Sequence, residues 1–139
     1  MPPLSVCDLS LGSSHSVALL RREGSTTGSL VVSFGRGEDG QLGHGHSREL
    51  DRPAAVASLA DKDISAVHCG AEYTIALSTS GLEVYSWGWG DFGRLGHGDG
   101  NDVSVPRPIA YFQGLEVGRH SAGDDGKHAD NKILTLIKY

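Results

Sequence analysis

Apolar and polar positions alternate along Ile64-Ser-Ala-Val-His-Cys69, the pattern of a strand with one buried face. Gly70 interrupts the alternation, and Tyr73-Thr-Ile-Ala-Leu-Ser78 resumes with β-favouring side chains. Thr79-Ser-Gly81 predicts a tight turn, after which Leu82-Glu-Val-Tyr-Ser-Trp87 alternates again. No window of about twelve residues carries a 3.6-residue apolar period, so the chain is predicted to be all-β, built from short strands.

The pattern is repeated. Ser33-Phe-Gly-Arg-Gly-Glu-Asp-Gly-Gln-Leu-Gly-His-Gly45 and Ser86-Trp-Gly-Trp-Gly-Asp-Phe-Gly-Arg-Leu-Gly-His-Gly98 agree at eight of thirteen positions, 53 residues apart, and Pro53 and Pro106 keep that offset. Upstream, Leu11-Gly-Ser-Ser-His-Ser-Val-Ala-Leu-Leu20 aligns with Cys69-Gly-Ala-Glu-Tyr-Thr-Ile-Ala-Leu-Ser78 at an offset of 58. The five-residue difference falls in Arg21–Gly28, expected to be a longer hairpin loop than its counterpart at Thr79–Gly81. A period near 50 predicts stacked or radial units, each of which needs neighbours to bury its faces.

Composition narrows the reading. With 12 Lys plus Arg against 17 Asp plus Glu, the net charge of −5 argues against a nucleic-acid footprint. No apolar run approaches the roughly 18 residues of a membrane span. The Met-Pro-Pro-Leu start lacks the basic and apolar regions of a secretory signal. Cys7 and Cys69 fall at roughly corresponding repeat positions and are expected to be buried free thiols in a reducing compartment.

Candidate chemistry is sparse. His44 and His97 occupy the same place in the Leu-Gly-His-Gly turn, and recurrence once per unit predicts a structural role rather than a metal site. His15 is expected to bond a backbone group, and His46, His68, His120 and His128 have no ligand spacing. Gly35-Arg-Gly37 and Gly88-Trp-Gly90 follow strands and open no helix, so phosphate binding is rejected. Ser13, Ser14 and His15 lack an acid partner or nucleophile elbow, so hydrolase chemistry is rejected. No catalytic residue, metal or cofactor is expected.

Cys69-Gly-Ala-Glu-Tyr-Thr-Ile-Ala-Leu-Ser78, continued through Tyr85-Ser-Trp-Gly-Trp-Gly-Asp-Phe-Gly-Arg-Leu-Gly-His-Gly98 to Pro106, resembles the repeat of the RCC1 family of seven-bladed β-propellers. Gly12 to Pro53 resembles it a second time, and the likeness covers roughly residues 4–116. It implies a partial propeller of about two blades: residues 1–58 as the first repeat, 59–116 as the second and 117–139 as a divergent tail. That tail, polar and rich in glycine from Val117 to Lys132, is expected to be disordered. Ile133-Leu-Thr-Leu-Ile-Lys-Tyr139 either pairs as an edge strand or is an unrelated tail from altered splicing or an early stop; the second is the expectation, making the chain a truncated form or fragment. Two blades leave sheet faces and edges open, so the chain is expected to be marginal or prone to aggregate.

Within the family the likeness is greatest to its plant ultraviolet-B photoreceptor members, which implies a non-enzymatic signalling scaffold in cytoplasm and nucleus. That resemblance makes Trp89 a chromophore candidate bordering a tryptophan–arginine cluster, and Trp87 a second candidate. Trp87 also matches the repeat's structural tryptophan, a role shared by Phe34 in the first unit. It makes Glu38, Asp39, Asp91 and Asp102 candidates for an acidic interface, homodimeric in a full-length form, with Arg36 and Arg94 available to pair with them inside one subunit. The same carboxylates are also read as plain solvated loop charges. The Gly-Trp-Arg-His-Thr motifs of the photoreceptors' main sensing tryptophans do not occur here. Gly12, Gly35, Gly37, Gly40, Gly43, Gly70, Gly88, Gly90, Gly93 and Gly96 are read as structural repeat glycines. Two alternatives stay open: a guanine-nucleotide exchange factor for a small GTPase, as the family's founder is, and a general protein-binding module without light sensing.

Overall fold

The computed structural model describes residues 3–25, 28–79 and 83–112. Its eight strands are β1 (Leu4–Leu11), β2 (His15–Arg22), β3 (Ser29–Gly35), β4 (Leu50–Ala55), β5 (Ile64–Cys69), β6 (Tyr73–Ser78), β7 (Val84–Gly88) and β8 (Val103–Pro108). They form two four-stranded antiparallel sheets, ordered β1-β2-β3-β4 and β5-β6-β7-β8. Each strand pairs with its predecessor, so each sheet is a simple meander. Among the described residues the remaining elements are single 3-10 turns at Ala57–Leu59, Asp91–Gly93 and Ala110–Phe112.

The alternating segments Ile64–Cys69 and Tyr73–Ser78 are strands with those bounds. The fourth strand of each sheet is not visible in the alternation. β4 and β8 carry Pro53, Pro106 and Pro108 and pair on one side only. A residue without an N–H is tolerated on such an edge. Ser80 and Gly81 of the expected turn, and residues 117–139, lie outside the described residues.

The sheets repeat in detail. β1 shifts register against β2 between Val6 and Asp8, and β5 against β6 between Ile64 and Ala66. The extra residues, Cys7 and Ser65, are one repeat apart. This corrects the expectation for the cysteines: Cys7 stands in the bulge of an edge strand and is exposed, while Cys69 is buried. The repeat partner of Cys69 is Leu11.

β5 lies against β1 and β2. Between the sheets, Val17, Leu19 and Val31 of the first meet Ile64, Val67, Cys69, Ala76, Tyr85 and Trp87 of the second. Trp87 is 0% exposed, and burial of an aromatic side chain of this kind stabilises by about 3 kcal/mol. Gly43 makes room for it. It has φ +82°, and a Cβ there would stand 2.8 Å from Trp87 Nε1. The edge of β5 is closed by side chains rather than by a strand: Asp8 Oδ2 accepts from the Val67 N–H at 3.0 Å, and Ser10 Oγ from the Cys69 N–H at 2.8 Å.

Candidate functional site

The loops that follow β3 and β7 carry most of the candidate residues, and hydrogen-bonded turns fix them. Ser33 Oγ donates to the Leu42 carbonyl at 2.7 Å and stands 2.9 Å from His44 Nε2. Ser86 Oγ donates to the Leu95 carbonyl at 2.6 Å and stands 3.0 Å from His97 Nε2. A hydroxyl has one proton, and the carbonyl takes it, so each imidazole donates through Nε2. Burial holds both histidines below the usual imidazole range, with His46 adding to the effect at His44 and Arg107 at His97.

A buried polar chain ties the two sheets together. His15 Nε2 lies 2.9 Å from Thr74 Oγ1, and that hydroxyl donates to the Gln41 carbonyl at 2.8 Å, so His15 is the donor. The Gln41 amide donates to Glu72 Oε2 at 2.7 Å, and its Oε1 accepts the Asp39 N–H at 2.9 Å. Glu72 also accepts from Ser14 Oγ and pairs with Arg36 at 3.4 Å. Burial drives the His15 pKa down to about 4, partly opposed by the Tyr73 backbone. The side-chain partner shown for His15 is therefore the Thr74 hydroxyl, where a backbone group was expected.

Among the candidates, Glu38, Asp39 and Asp102 come together, with Gly40, His46, Ser47 and Ser104, around a hollow of about 300 Å³ between the loops of the two sheets. Arg36 reaches Glu38 at 2.6 Å and holds its carboxyl below the usual range. Burial raises the Asp39 carboxyl; Arg36 opposes this, and the charges of Asp102, Glu72 and Glu38 add to it. Asp102 is committed locally, since Oδ1 accepts the Gly90 N–H at 2.9 Å.

Arg94 departs from the expectation that it pairs with a loop carboxylate. Its Nε donates to the backbone carbonyl of Asp91 at 2.9 Å, and its guanidinium lies 3.7 Å from the centre of the Trp89 ring. Trp89 is half-buried and faces the loops, whereas Trp87 is sealed in the core and Phe34 is partly exposed. Asp91 is exposed and does not line the hollow. Next to it Phe92 is 80% exposed in a left-handed backbone conformation, φ 64°. Glu72 and Gln41 were not among the sequence candidates. Both occupy variable positions of the repeat, and only the packing of one sheet on the other brings them together.

No group of three or more His, Cys, Asp or Glu side chains among the described residues has the arrangement of a metal site. No described helix is long and apolar enough to cross a membrane.

Comparison with known proteins places this geometry. The family model for the Regulator of chromosome condensation (RCC1) repeat matches residues 30–77 and 83–126. The chain is 50% identical over 123 residues to the Ultraviolet-B receptor UVR8 of Arabidopsis thaliana, covering 88% of this chain and 27% of the receptor. It is 38% identical over 106 residues to the human E3 ubiquitin-protein ligase HERC2, covering 76% of this chain and 2% of the ligase. The crystal structure of human WBSCR16 superposes with a TM-score of 0.68 at 32% identity, covering 82% of this chain and 28% of that one. Prp20p of Saccharomyces cerevisiae, a protein studied for its binding to Gsp1p and histones, superposes with a TM-score of 0.64 at 24% identity, covering 78% of this chain and 26% of Prp20p. That last likeness speaks for the fold alone. The chain spans about a quarter of the receptor's length.

Proposed function

Because the chain belongs to the RCC1-repeat family of β-propeller proteins, we propose that it is a non-enzymatic interaction scaffold of the ultraviolet-B receptor kind. In this reading the loops after β3 and β7 form a protein-docking surface, and Trp89 absorbs at it. The observation that carries the reading is the stacking of Arg94 on Trp89 at 3.7 Å, in the loops that also carry the acidic hollow of Glu38, Asp39 and Asp102. An indole in contact with a cation, beside carboxylates, couples absorption to the charges that steer association.

Glu38 and Asp39 supply the acidic contacts in one sheet, Asp91 and Asp102 in the other, and Arg36 and Arg94 position them. Trp87 is assigned to the core. The partner surface is a basic protein face, homodimeric in a form carrying further repeats, and the place of action is cytoplasm and nucleus. The test is light scattering coupled to size exclusion on such a longer form, before and after ultraviolet-B exposure. Dissociation that is blunted by Trp89→Phe supports the reading, and a form that stays associated under irradiation refutes it.

A general binding module without light sensing is the second reading. A longer form whose further repeats carry no Gly-Trp-Arg-His-Thr motif would favour it. An exchange-factor role has only the fold-level likeness to Prp20p behind it, and a nucleotide-release assay on small GTPases tests it.

A further inference from the structure

The hairpin that joins β2 to β3 is where the two repeats differ in length. The five extra residues of the first repeat fall in Arg21–Gly28, and Arg21-Arg22-Glu23-Gly24-Ser25 opens this connection. The Glu23 N–H donates to the Pro3 carbonyl at 3.0 Å, which ties the base of the hairpin to the start of β1. The Ser25 N–H donates to the Arg22 carbonyl at 3.0 Å and closes a turn over Gly24, at φ +83°. Arg22, Glu23, Gly24 and Ser25 are all exposed. A Cβ at Gly24 would meet nothing within 4 Å, so the space around the turn is open.

The two arginines have different surroundings, because successive side chains of a strand point to opposite faces. Arg21 reaches the second sheet, where it donates to the Ile64 carbonyl at 2.8 Å and pairs with Asp63 at 3.6 Å. Arg22 stays exposed beside the turn. It stands three residues before Ser25, and it is the one arginine of the chain with a serine or threonine at that spacing. A cation at a fixed distance before an accessible hydroxyl is the charge pattern that basophilic protein kinases read with carboxylates of their substrate groove. Glu23 sets aside those kinases that require a cation two residues before the acceptor.

The repeat itself shows that this end of a sheet stays open when sheets stack. Thr79 is the repeat partner of Arg21. It is exposed even though the first sheet packs alongside and Arg21 reaches its hydroxyl at 3.3 Å. The exposure of the β2–β3 hairpin therefore does not depend on whether a further sheet lies against the first. His15 pairs with Gly35 and Arg21 with Ser29, so the turn lies at the end of β2 and β3 away from the loop after β3. At about 3.4 Å per residue the two ends are roughly 20 Å apart.

We propose that Ser25 is a phosphorylation site for a protein kinase that selects arginine three residues before its acceptor. The Ser25 hydroxyl oxygen bonds the γ-phosphorus of ATP, the bond from that phosphorus to the bridging oxygen breaks, and ADP leaves. The hydroxyl proton passes to the carboxylate base of the kinase. The product is a phosphoester that adds close to two negative charges and three acceptor oxygens beside Arg22. This site is separate from the loop surface proposed above and does not depend on it.

Incubation of the whole folded chain with a calmodulin-dependent protein kinase of that selectivity tests the proposal. ATP labelled at its γ-phosphate and magnesium are supplied, and the phosphate is located by tandem mass spectrometry. The expected result is close to one phosphate per chain, carried by Ser25. Ser25→Ala should abolish the labelling and Ser25→Thr, which keeps a hydroxyl, should retain it. Arg22→Gln should lower kcat/KM roughly tenfold or more, as loss of a charge-assisted contact does. Arg52→Gln, at an exposed arginine elsewhere, should leave the rate unchanged. Circular dichroism establishes that each variant is folded. No labelling of the folded chain, phosphate carried mainly by Thr26, Thr27 or another hydroxyl, or a rate indifferent to Arg22→Gln would each overturn the proposal.

Discussion

His15 should make this protein acid-sensitive by an amount that can be worked out. The imidazole is 2% exposed, donates to Thr74, and has its pKa lowered from 6.5 to about 4. The unfolded chain therefore takes up the proton first as pH falls. The contribution to stability is complete above about pH 6.5 and is lost as pH drops toward 4. A tenfold difference in proton affinity between the folded and unfolded chain is worth about 1.4 kcal/mol, so the full loss is about 3 kcal/mol, and at pH 5 about 2 kcal/mol is already gone. Cys69, also in the interface, stays a neutral thiol throughout this window. His44 and His97 are displaced in the same direction and add to the slope. Urea unfolding followed by the fluorescence of buried Trp87 should show a midpoint lower by on the order of 1 M at pH 5 than at pH 7.5. His15→Asn keeps a donor for Thr74 and cannot titrate, so most of the difference should vanish. If His15→Asn retained the wild-type difference, the assignment of the acid sensitivity to this residue would fail.

Three further outcomes are expected. Gly43→Ala forces a side chain into a left-handed position 2.8 Å from Trp87 Nε1, and thermal unfolding should report a loss of about 2–3 kcal/mol; a change below about 0.5 kcal/mol would contradict the packing. Ser33→Ala and Ser86→Ala each leave a carbonyl and an imidazole donor without their shared partner, and should cost about 2 kcal/mol apiece in denaturant titrations, equal to within about 1 kcal/mol because the geometry is repeated. Glu72→Ala strands the Gln41 amide, which is fully buried, and should cost about 2 kcal/mol; earlier cleavage of the 36–41 loop by protease would report its release, and unchanged cleavage would count against the role given to Glu72.

The repeat and the β class were legible in the chain because they rest on local chemistry. Alternation sets which face of a strand is buried, glycine spacing sets where the backbone turns, and an offset of 53 or 58 residues states that two segments fold alike. The edge strands β4 and β8 escaped because proline suppresses the pattern that announces a strand. Other properties depend on how one sheet lies on the next. The likeness of Cys7 and Cys69 hid opposite environments, since Cys69 packs between the two sheets while Cys7 is the bulge residue of an edge strand. Arg94 was offered several carboxylates and took an aromatic face instead. Glu72 and Gln41, 31 residues apart, became one buried chain with Thr74 and His15. Periodicity fixes the face a side chain uses; what that face meets is decided by residues far away in the sequence.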